Sequence, residues 1–191
     1  MARTGRGRVP QADMDAARAL AVLTRLESSG IPAWLDGGWA VDALLGEQTR
    51  AHDDLDLVTR LEDTARIEES LGELGYAVGY GAAPASFELV DGEGHQVDVH
   101  PFATDPSGDG HYRMADGGTW IFPAHGFDGT GRILGRSVRC LTPDVVLVNH
   151  STGYELDEQH RRDVRLLAGR FGLPMPRAAS APRTGAVPPP R

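Results

Sequence analysis

Lysine is absent from the 191-residue chain, whose 19 basic residues are all arginine. Without lysine there can be no phosphate-binding loop of the Gly-Lys-Ser/Thr kind, no pyridoxal Schiff base and no lysine nucleophile. Cysteine occurs once, as Cys140, so a disulfide within the chain and a zinc site of clustered thiolates are also excluded. The lone cysteine agrees with a reducing compartment.

Long hydrophobic runs are missing too. No stretch approaches eighteen uninterrupted apolar residues, so we expect no membrane-spanning segment. Arg3, Arg6 and Arg8 have no apolar run behind them, so the amino terminus lacks the middle region of a secretory signal. A cytoplasmic location is therefore expected. A charged fraction of 24% indicates a globular protein, and the chain length suits one domain.

Charge is distributed unevenly around a net value of −8. Residues 1–10 and 174–191 carry six arginines and no acid, so residues 11–173 hold 13 arginines, 27 acidic residues and a net charge of −14. Such a surface repels a nucleic-acid backbone, and a nucleic-acid partner is not expected. A cationic small molecule or a metal-bound anion suits it better.

The apolar pattern divides residues 11–173 into short helices and strands. We expect helices over 11–29, 39–45, 62–74, 142–152 and 157–171, with Asp13 capping the first and Pro143 opening the fourth. Strands are expected at 33–35, 55–58, 76–80, 86–90 and 96–100, and the Gly-, Asp- and Pro-rich stretch 104–132 should hold at most one, near Trp120.

These elements mix without strict alternation of strand and helix. That order predicts an α+β domain over residues 11–173, with a mixed β-sheet flanked by helices and a C-terminal helical part at about 142–172. Residues 1–10 are expected to form a flexible basic tail. Residues 174–191, with six prolines, are expected to form a disordered one.

Three aspartates fall on two of the predicted strands. Asp54 and Asp56 point to one face because residues two apart in a strand share a face, and Asp98 alternates with Val97 and Val99 in the same way. If the two strands are neighbours, the three carboxylates form one acidic face. Carboxylates side by side repel each other, and Mg²⁺ between them would remove that repulsion. With 27 acids in the chain, a solvated acidic surface is the alternative interpretation.

A glycine turn precedes the acidic pair by sixteen residues. Asp36, Gly37 and Gly38 join a strand to a helix start, where free backbone N–H groups and the helix dipole favour an anion. Glycine also allows close approach to a triphosphate. Arg50 and His52, just before the aspartates, are candidate phosphate contacts. A plain helix-entry turn and ordinary loop charges are the alternatives.

Together these segments resemble a known family. Residues 34–42, WLDGGWAVD, and 49–57, TRAHDDLDL, closely resemble the opening of the antibiotic nucleotidyltransferases that modify lincosamides and the 2''-hydroxyl of aminoglycosides. These belong to the polymerase-β-like nucleotidyltransferase superfamily. Residues 97–101, VDVHP, 153–156, GYEL, and Asp163-Val164 look more like the lincosamide enzymes. The likeness covers about residues 15 to 172.

The resemblance implies a fold, a reaction and roles for residues. It implies the polymerase-β-like nucleotidyltransferase fold, and transfer of a nucleoside monophosphate, AMP from ATP, onto a hydroxyl of an antibiotic. Asp54 and Asp56 would bind one or two Mg²⁺ ions, with Asp98 as third carboxylate and base. Gly37 and Gly38 would hold the triphosphate, and a homodimer is compatible with the resemblance. His150 lies four residues before Tyr154 rather than three as in the family, so we expect it to pack a helix.

Other functions fit the sequence less well. His95, His100, His111 and His125 fit no zinc-hydrolase spacing, and no Gly-x-Ser-x-Gly hydrolase motif occurs. The stronger alternative is a non-catalytic nucleotide-binding or antitoxin-like partner protein of the same superfamily. Three repelling carboxylates kept together argue against an idle site.

Overall fold

The computed structural model describes residues 11–151 and 157–175, which contain five α-helices and nine β-strands. The helices are α1 (Ala16–Ser28), α2 (Gly37–Leu45), α3 (Thr64–Gly72), α4 (Pro143–Asn149) and α5 (Glu158–Phe171). The strands are β1 (Ala33–Leu35), β2 (Asp54–Arg60), β3 (Ala77–Gly81), β4 (Phe87–Val90), β5 (Gln96–Thr104), β6 (Gly110–Arg113), β7 (Thr119–Phe122), β8 (Thr130–Ile133) and β9 (Arg136–Arg139). Over the described ranges, no helix combines the length and apolarity needed to cross a bilayer.

Seven of the strands form one mixed sheet, which confirms the predicted α+β class. Its central order is β1-β2-β5-β4-β3, and β6 pairs with the last residues of β5 and with β7. The β2–β5 pair is parallel, whereas the other pairings in this sheet are antiparallel. Strands β8 and β9 form a separate hairpin.

The parallel β2–β5 pair lies at the centre of the core. Leu55 and Leu57 on β2, and Val97 and Val99 on β5, are all fully buried. Their alternation with aspartate fixes the register, because a slip of one residue would turn these apolar side chains out of the core. Helix α1 packs on α3 and β1, while α2 contacts α4, α5 and β8.

Several predicted boundaries were wrong. Helix α1 begins at Ala16, and its cap is Asp15 rather than Asp13, because the Asp15 carboxylate accepts the backbone N–H of Arg18 at 2.7 Å. The stretch 104–132 contains β6 and β7 and most of β8, where at most one strand was expected. Each of these strands has only four residues and is bounded by turns. The few apolar residues of each strand are therefore too few to show an alternating pattern among the turn residues.

The helical carboxyl-terminal part agrees with the prediction in outline. Pro143 opens α4 as expected, and Asp157 caps α5 by accepting the backbone N–H of His160 at 2.8 Å. His150 is buried at the end of α4 with its ring 5.7 Å from that of His160, in agreement with the packing expected of it. The GYEL segment at 153–156 and the predicted tails, apart from residues 174 and 175, lie outside the described residues.

Candidate active site

The predicted acidic face is present on the paired strands. The parallel register sets Asp56 beside Asp98, and Asp54 lies two residues before Asp56 on the same strand. Because the residues between them point into the core, the three carboxylates project from one face. The predicted arrangement requires the two strands to be neighbours, and they are.

Crowding of these carboxylates shifts their proton affinity. The negative charge of Asp56, followed by burial and the charge of Asp98, raises the pKa of Asp54 to about 8. Burial, followed by the charge of Asp56, raises the pKa of Asp98 to about 7, although the Gln96 amide donates to Asp98 Oδ1 at 2.7 Å. A bound cation would stabilise the charged forms of both groups.

A fourth carboxylate, Asp36, lies beside the same cluster. It is buried at the end of β1, where its backbone N–H donates to the Asp56 carbonyl at 3.1 Å. Burial and the charge of Asp56 raise its pKa, and the Asn149 amide donates to its Oδ2 at 2.8 Å. From the sequence, Asp36 is predicted only as a turn residue; the signal for its place in the cluster is an acid directly after a buried strand.

His100 contacts the cluster from β5. Its Nε2 lies 3.2 Å from Asp56 Oδ1, and its ring is buried against the edge of Tyr112. Burial alone would lower the pKa of His100, but the hydrogen bond to Asp56 and the nearby aspartates raise it. From the sequence, this histidine was a candidate only for a zinc site. Its position two residues after Asp98 was the signal that it would share the acidic face.

The glycine turn packs directly on the acidic pair. Gly37 begins α2 in the left-handed region at φ +59°, and a Cβ placed on it would lie 1.8 Å from Asp56 Oδ2. No side chain fits at that position. The first N–H groups of the nine-residue helix α2 therefore lie next to the carboxylates, which is where the predicted triphosphate would be held.

Arg50 and His52 both contact the second glycine of the turn. A Cβ on Gly38 would lie 2.2 Å from Arg50 Nη2 and 2.5 Å from His52 Nδ1. His52 is buried, bonds Asp42 Oδ2 through Nε2 at 2.6 Å, and packs on Trp39 with ring centroids 4.5 Å apart. This burial favours a positioning role for His52 over the predicted phosphate contact. Trp39 itself is buried in the core.

A second acidic group lies away from the glycine turn. Asp91, Glu93 and His95 have potential metal-ligand atoms that all lie within 4.8 Å of one another. In the part of the chain that the structure describes, no other three such residues come this close. Arg18 donates to Asp91 at 3.0 Å and to Glu93 at 2.9 Å, and Asp91 Oδ1 accepts three backbone N–H groups. This group therefore closes a turn. The strand aspartates are less tightly gathered, so an ion shared by all three requires their side chains to turn inward.

The site combines two paired strands that carry adjacent aspartates with a glycine turn that opens a helix. This arrangement is that of a nucleotidyltransferase, and similarity to known proteins agrees with it. The profile of the aminoglycoside-2''-adenylyltransferase family matches residues 18–167, and the chain belongs to this family. A lincosamide resistance protein of Staphylococcus haemolyticus is 31% identical over 146 residues, which cover 76% of this chain and 89% of that protein. A 2''-aminoglycoside nucleotidyltransferase of Klebsiella pneumoniae is 41% identical over 54 residues, 28% of this chain and 30% of that protein.

Solved structures confirm the predicted nucleotidyltransferase fold. A lincosamide antibiotic adenylyltransferase with lincomycin bound matches with a TM-score of 0.71 at 28% identity, over 82% of this chain and 98% of that one. The enzyme ANT(2'')-Ia in complex with adenylyl-2''-tobramycin matches with a TM-score of 0.64 at 25% identity, over 82% of this chain and 89% of that one.

Gly37→Ala should disrupt the site because its Cβ would displace the Asp56 carboxylate. We expect nucleotidyl transfer to fall about a hundredfold, the usual effect of misplacing a catalytic group by about 1 Å. Gly46→Ala is the matched control: Gly46 also has a positive φ, +81°, but an added Cβ meets nothing within 4 Å. Its cost should be confined to about 1–2 kcal/mol of stability. Equal transfer rates in the two variants would contradict the proposed packing.

The stability of the metal-free protein should depend on Asp54. Because the pKa values of Asp54 and Asp98 are raised to about 8 and about 7, the folded state binds more protons than the unfolded state between about pH 4 and pH 8. Their stabilising contribution is complete below about pH 4 and is lost as the pH rises through these values.

The free energy of unfolding of the wild type should therefore fall, relative to Asp54→Asn, between about pH 4 and pH 8. We expect a change of about 1 kcal/mol after allowing for partial exposure. Urea denaturation at several pH values measures it, and added Mg²⁺ should reduce it. Parallel pH profiles of the two proteins would show that the carboxylates are not crowded.

Proposed function

We propose that the chain catalyses Mg²⁺-dependent transfer of AMP from ATP onto a hydroxyl of a small molecule, a lincosamide- or aminoglycoside-like antibiotic. The observation that carries this proposal is the register of β2 and β5, which sets Asp56 beside Asp98 next to the glycine turn. The family supports the reaction class. The named substrates of the lincomycin- and tobramycin-bound relatives support the acceptor classes.

The residues present fit a magnesium ion. Asp54, Asp56 and Asp98 offer the carboxylate oxygens that Mg²⁺ prefers. The charge of Asp56 and burial raise the pKa of Asp54, burial and the same charge raise that of Asp98, and a cation would offset both effects. These three residues would hold one or two ions. When bound, the metal would supply charge neutralisation for the phosphates and the departing pyrophosphate.

Asp98 is proposed to accept the proton of the acceptor hydroxyl. The hydroxyl oxygen forms a bond to the α-phosphorus, the bond from that phosphorus to the bridging oxygen breaks, and pyrophosphate leaves with the electron pair. Burial, followed by the charge of Asp56, raises the pKa of Asp98 to about 7 in the ion-free site, and a bound cation would stabilise the charged carboxylate that accepts the proton. Gly37 and Gly38 would orient the triphosphate through the N–H groups of α2, with the Arg50 charge beside them.

The acceptor is proposed from charge and similarity together. The net charge of −14 over residues 11–173 favours a cationic drug, which both antibiotic classes can supply. The lincosamide resistance protein matches most of the chain in sequence, whereas the aminoglycoside enzyme of Klebsiella pneumoniae matches a short segment. We therefore place lincosamides first. Residues 102–135, which include β6, β7, β8 and the β8–β9 turn, are proposed to shape the acceptor pocket.

Pyrophosphate release with ATP and Mg²⁺ tests the proposal. We expect release that depends on lincomycin or tobramycin, and raised resistance to that drug in cells expressing the chain. The expressed Asp98→Asn variant is the control and should confer no resistance. No release across a broad acceptor panel, together with a tightly copurifying protein, would instead favour the non-catalytic partner protein.

Substitutions should separate the roles of the three aspartates. Asp98→Asn should abolish transfer but leave Mg²⁺–ATP affinity within about threefold, because a base acts in the chemical step. Asp54→Ala and Asp56→Ala should weaken Mg²⁺-dependent ATP binding by about tenfold or more, because they remove metal ligands. Calorimetry measures the affinities, and exposed Asp53→Asn is the matched control. Equal loss of binding and transfer in Asp98→Asn would make Asp98 chiefly a metal ligand.

A further inference from the structure

We propose that Asp163 on α5 is a positioning residue for nucleotide binding, which holds the Arg50 guanidinium against the glycine turn. The inference rests on the proposed function, since it assigns Asp163 a part in the same site. It adds the C-terminal helix to a catalytic arrangement otherwise built from α2, β2 and β5. Asp163 would act through Arg50 and would not itself touch the nucleotide.

The contacts around Arg50 define this role. Asp163 Oδ2 accepts hydrogen bonds from Arg50 Nε at 3.3 Å and Nη2 at 3.2 Å. Arg50 Nη1 donates to the Ala51 carbonyl at 3.0 Å. Gln159 on α5 accepts from Nη1 at 2.9 Å when its amide oxygen is turned toward Arg50. Because α5 supplies two acceptors to one planar guanidinium, it fixes the direction as well as the position of the charge.

Asp163 is unusual in its degree of burial. Its side chain is 1% exposed, and within the described ranges its Oδ1 has no hydrogen-bond partner. A buried carboxylate needs a compensating charge, and the Arg50 guanidinium is the ion-pair partner that the structure gives it. The ion pair keeps the Arg50 guanidinium beside Asp163, and in that position it also lies against Gly38.

The fixed guanidinium lies where it can act on the site. Its positive charge lowers the pKa of Asp54, although crowding and burial dominate and the net shift is upward. A phosphate chain at the glycine turn would therefore meet a charge already held in place, so less conformational entropy is lost on binding. Without Asp163, a long arginine side chain would sample other rotamers.

A second set of bonds ties the same loop to α2 and α5. The Thr49 hydroxyl donates to Asp42 Oδ1 at 2.6 Å, and Asp42 Oδ2 bonds His52. Arg162 on α5 donates to the Thr49 carbonyl at 3.2 Å. The loop before β2 is thus held on both sides of Arg50, and α5 supplies the acceptor for the guanidinium itself.

A double-mutant cycle tests the inference. The full chain carries Asp163→Asn, Arg50→Lys or both, and binding of a fluorescent ATP analogue with Mg²⁺ is measured beside kcat, KM for ATP and the melting temperature. We expect Asp163→Asn to weaken nucleotide binding about tenfold while kcat at saturating ATP stays within about threefold, because uniform binding is lost. The double variant should bind no more weakly than Arg50→Lys alone.

Two further variants serve as a second test and as a control. Gln159→Ala removes the exposed acceptor and should weaken binding about two- to threefold, which decides the matter if Asp163→Asn fails to fold. Arg165→Gln, which breaks an exposed pair with Glu158 on α5, is the matched control and should bind as the wild type does.

Unchanged nucleotide affinity in Asp163→Asn, or losses that multiply in the double variant, would overturn the inference and leave the proposed function standing. If Asp163→Asn does not fold, unchanged affinity in Gln159→Ala overturns it in the same way. A wild type that binds no nucleotide would overturn the proposed function and this inference together.

Discussion

Repulsion between carboxylates on two adjacent parallel strands is the constraint on which this structure depends. Asp56 and Asp98 stand side by side because Leu55, Leu57, Val97 and Val99 fix the strand register in the core. The charge of Asp56 raises the pKa of Asp54, and burial together with the same charge raises that of Asp98, so the arrangement disfavours the ionised forms of both. Strongly shifted pKa values of this kind are typical of functional sites, and here they fit a site in which a cation and a phosphate chain bind.

Buried polar groups behind the acidic face hold it in place. His100 bonds Asp56 from one side, and Gly37 leaves room for the same carboxylate on the other. Asp36 links the cluster to α4 through Asn149. The loop before β2 links it to α5 through Arg50 and Asp163. Helices α2, α4 and α5, which are distant from one another in sequence, are thus linked to one strand pair.

Much of the site could be read from the sequence because its signals are local. The alternation of aspartate with leucine or valine gave the shared face, and the glycine pair before a helix gave the turn. The mixed sheet and the family likeness followed in the same way, and both are confirmed. The domain limits and the roles of the site residues stay predictions.

Long-range partners could not be predicted in the same way. Asp42 and Asp163 look like ordinary helix-surface acids, and only the packing of α2 and α5 makes them buried partners of His52 and Arg50. Strands β6 to β8 were missed because four-residue strands between glycine-rich turns carry little periodic signal. For the same reason, residues 102–135 give no prediction of the acceptor pocket's shape.

Binding of Mn²⁺ tests the central claim most directly, because Mn²⁺ accepts the same oxygen ligands as Mg²⁺ and is visible by electron paramagnetic resonance. With a non-hydrolysable ATP analogue, the wild type should hold protein-bound Mn²⁺, and an Asp54→Asn/Asp56→Asn double variant with the same circular dichroism should not. Equal Mn²⁺ binding by the two proteins would contradict the account, since the ion would then be held by groups other than the strand aspartates.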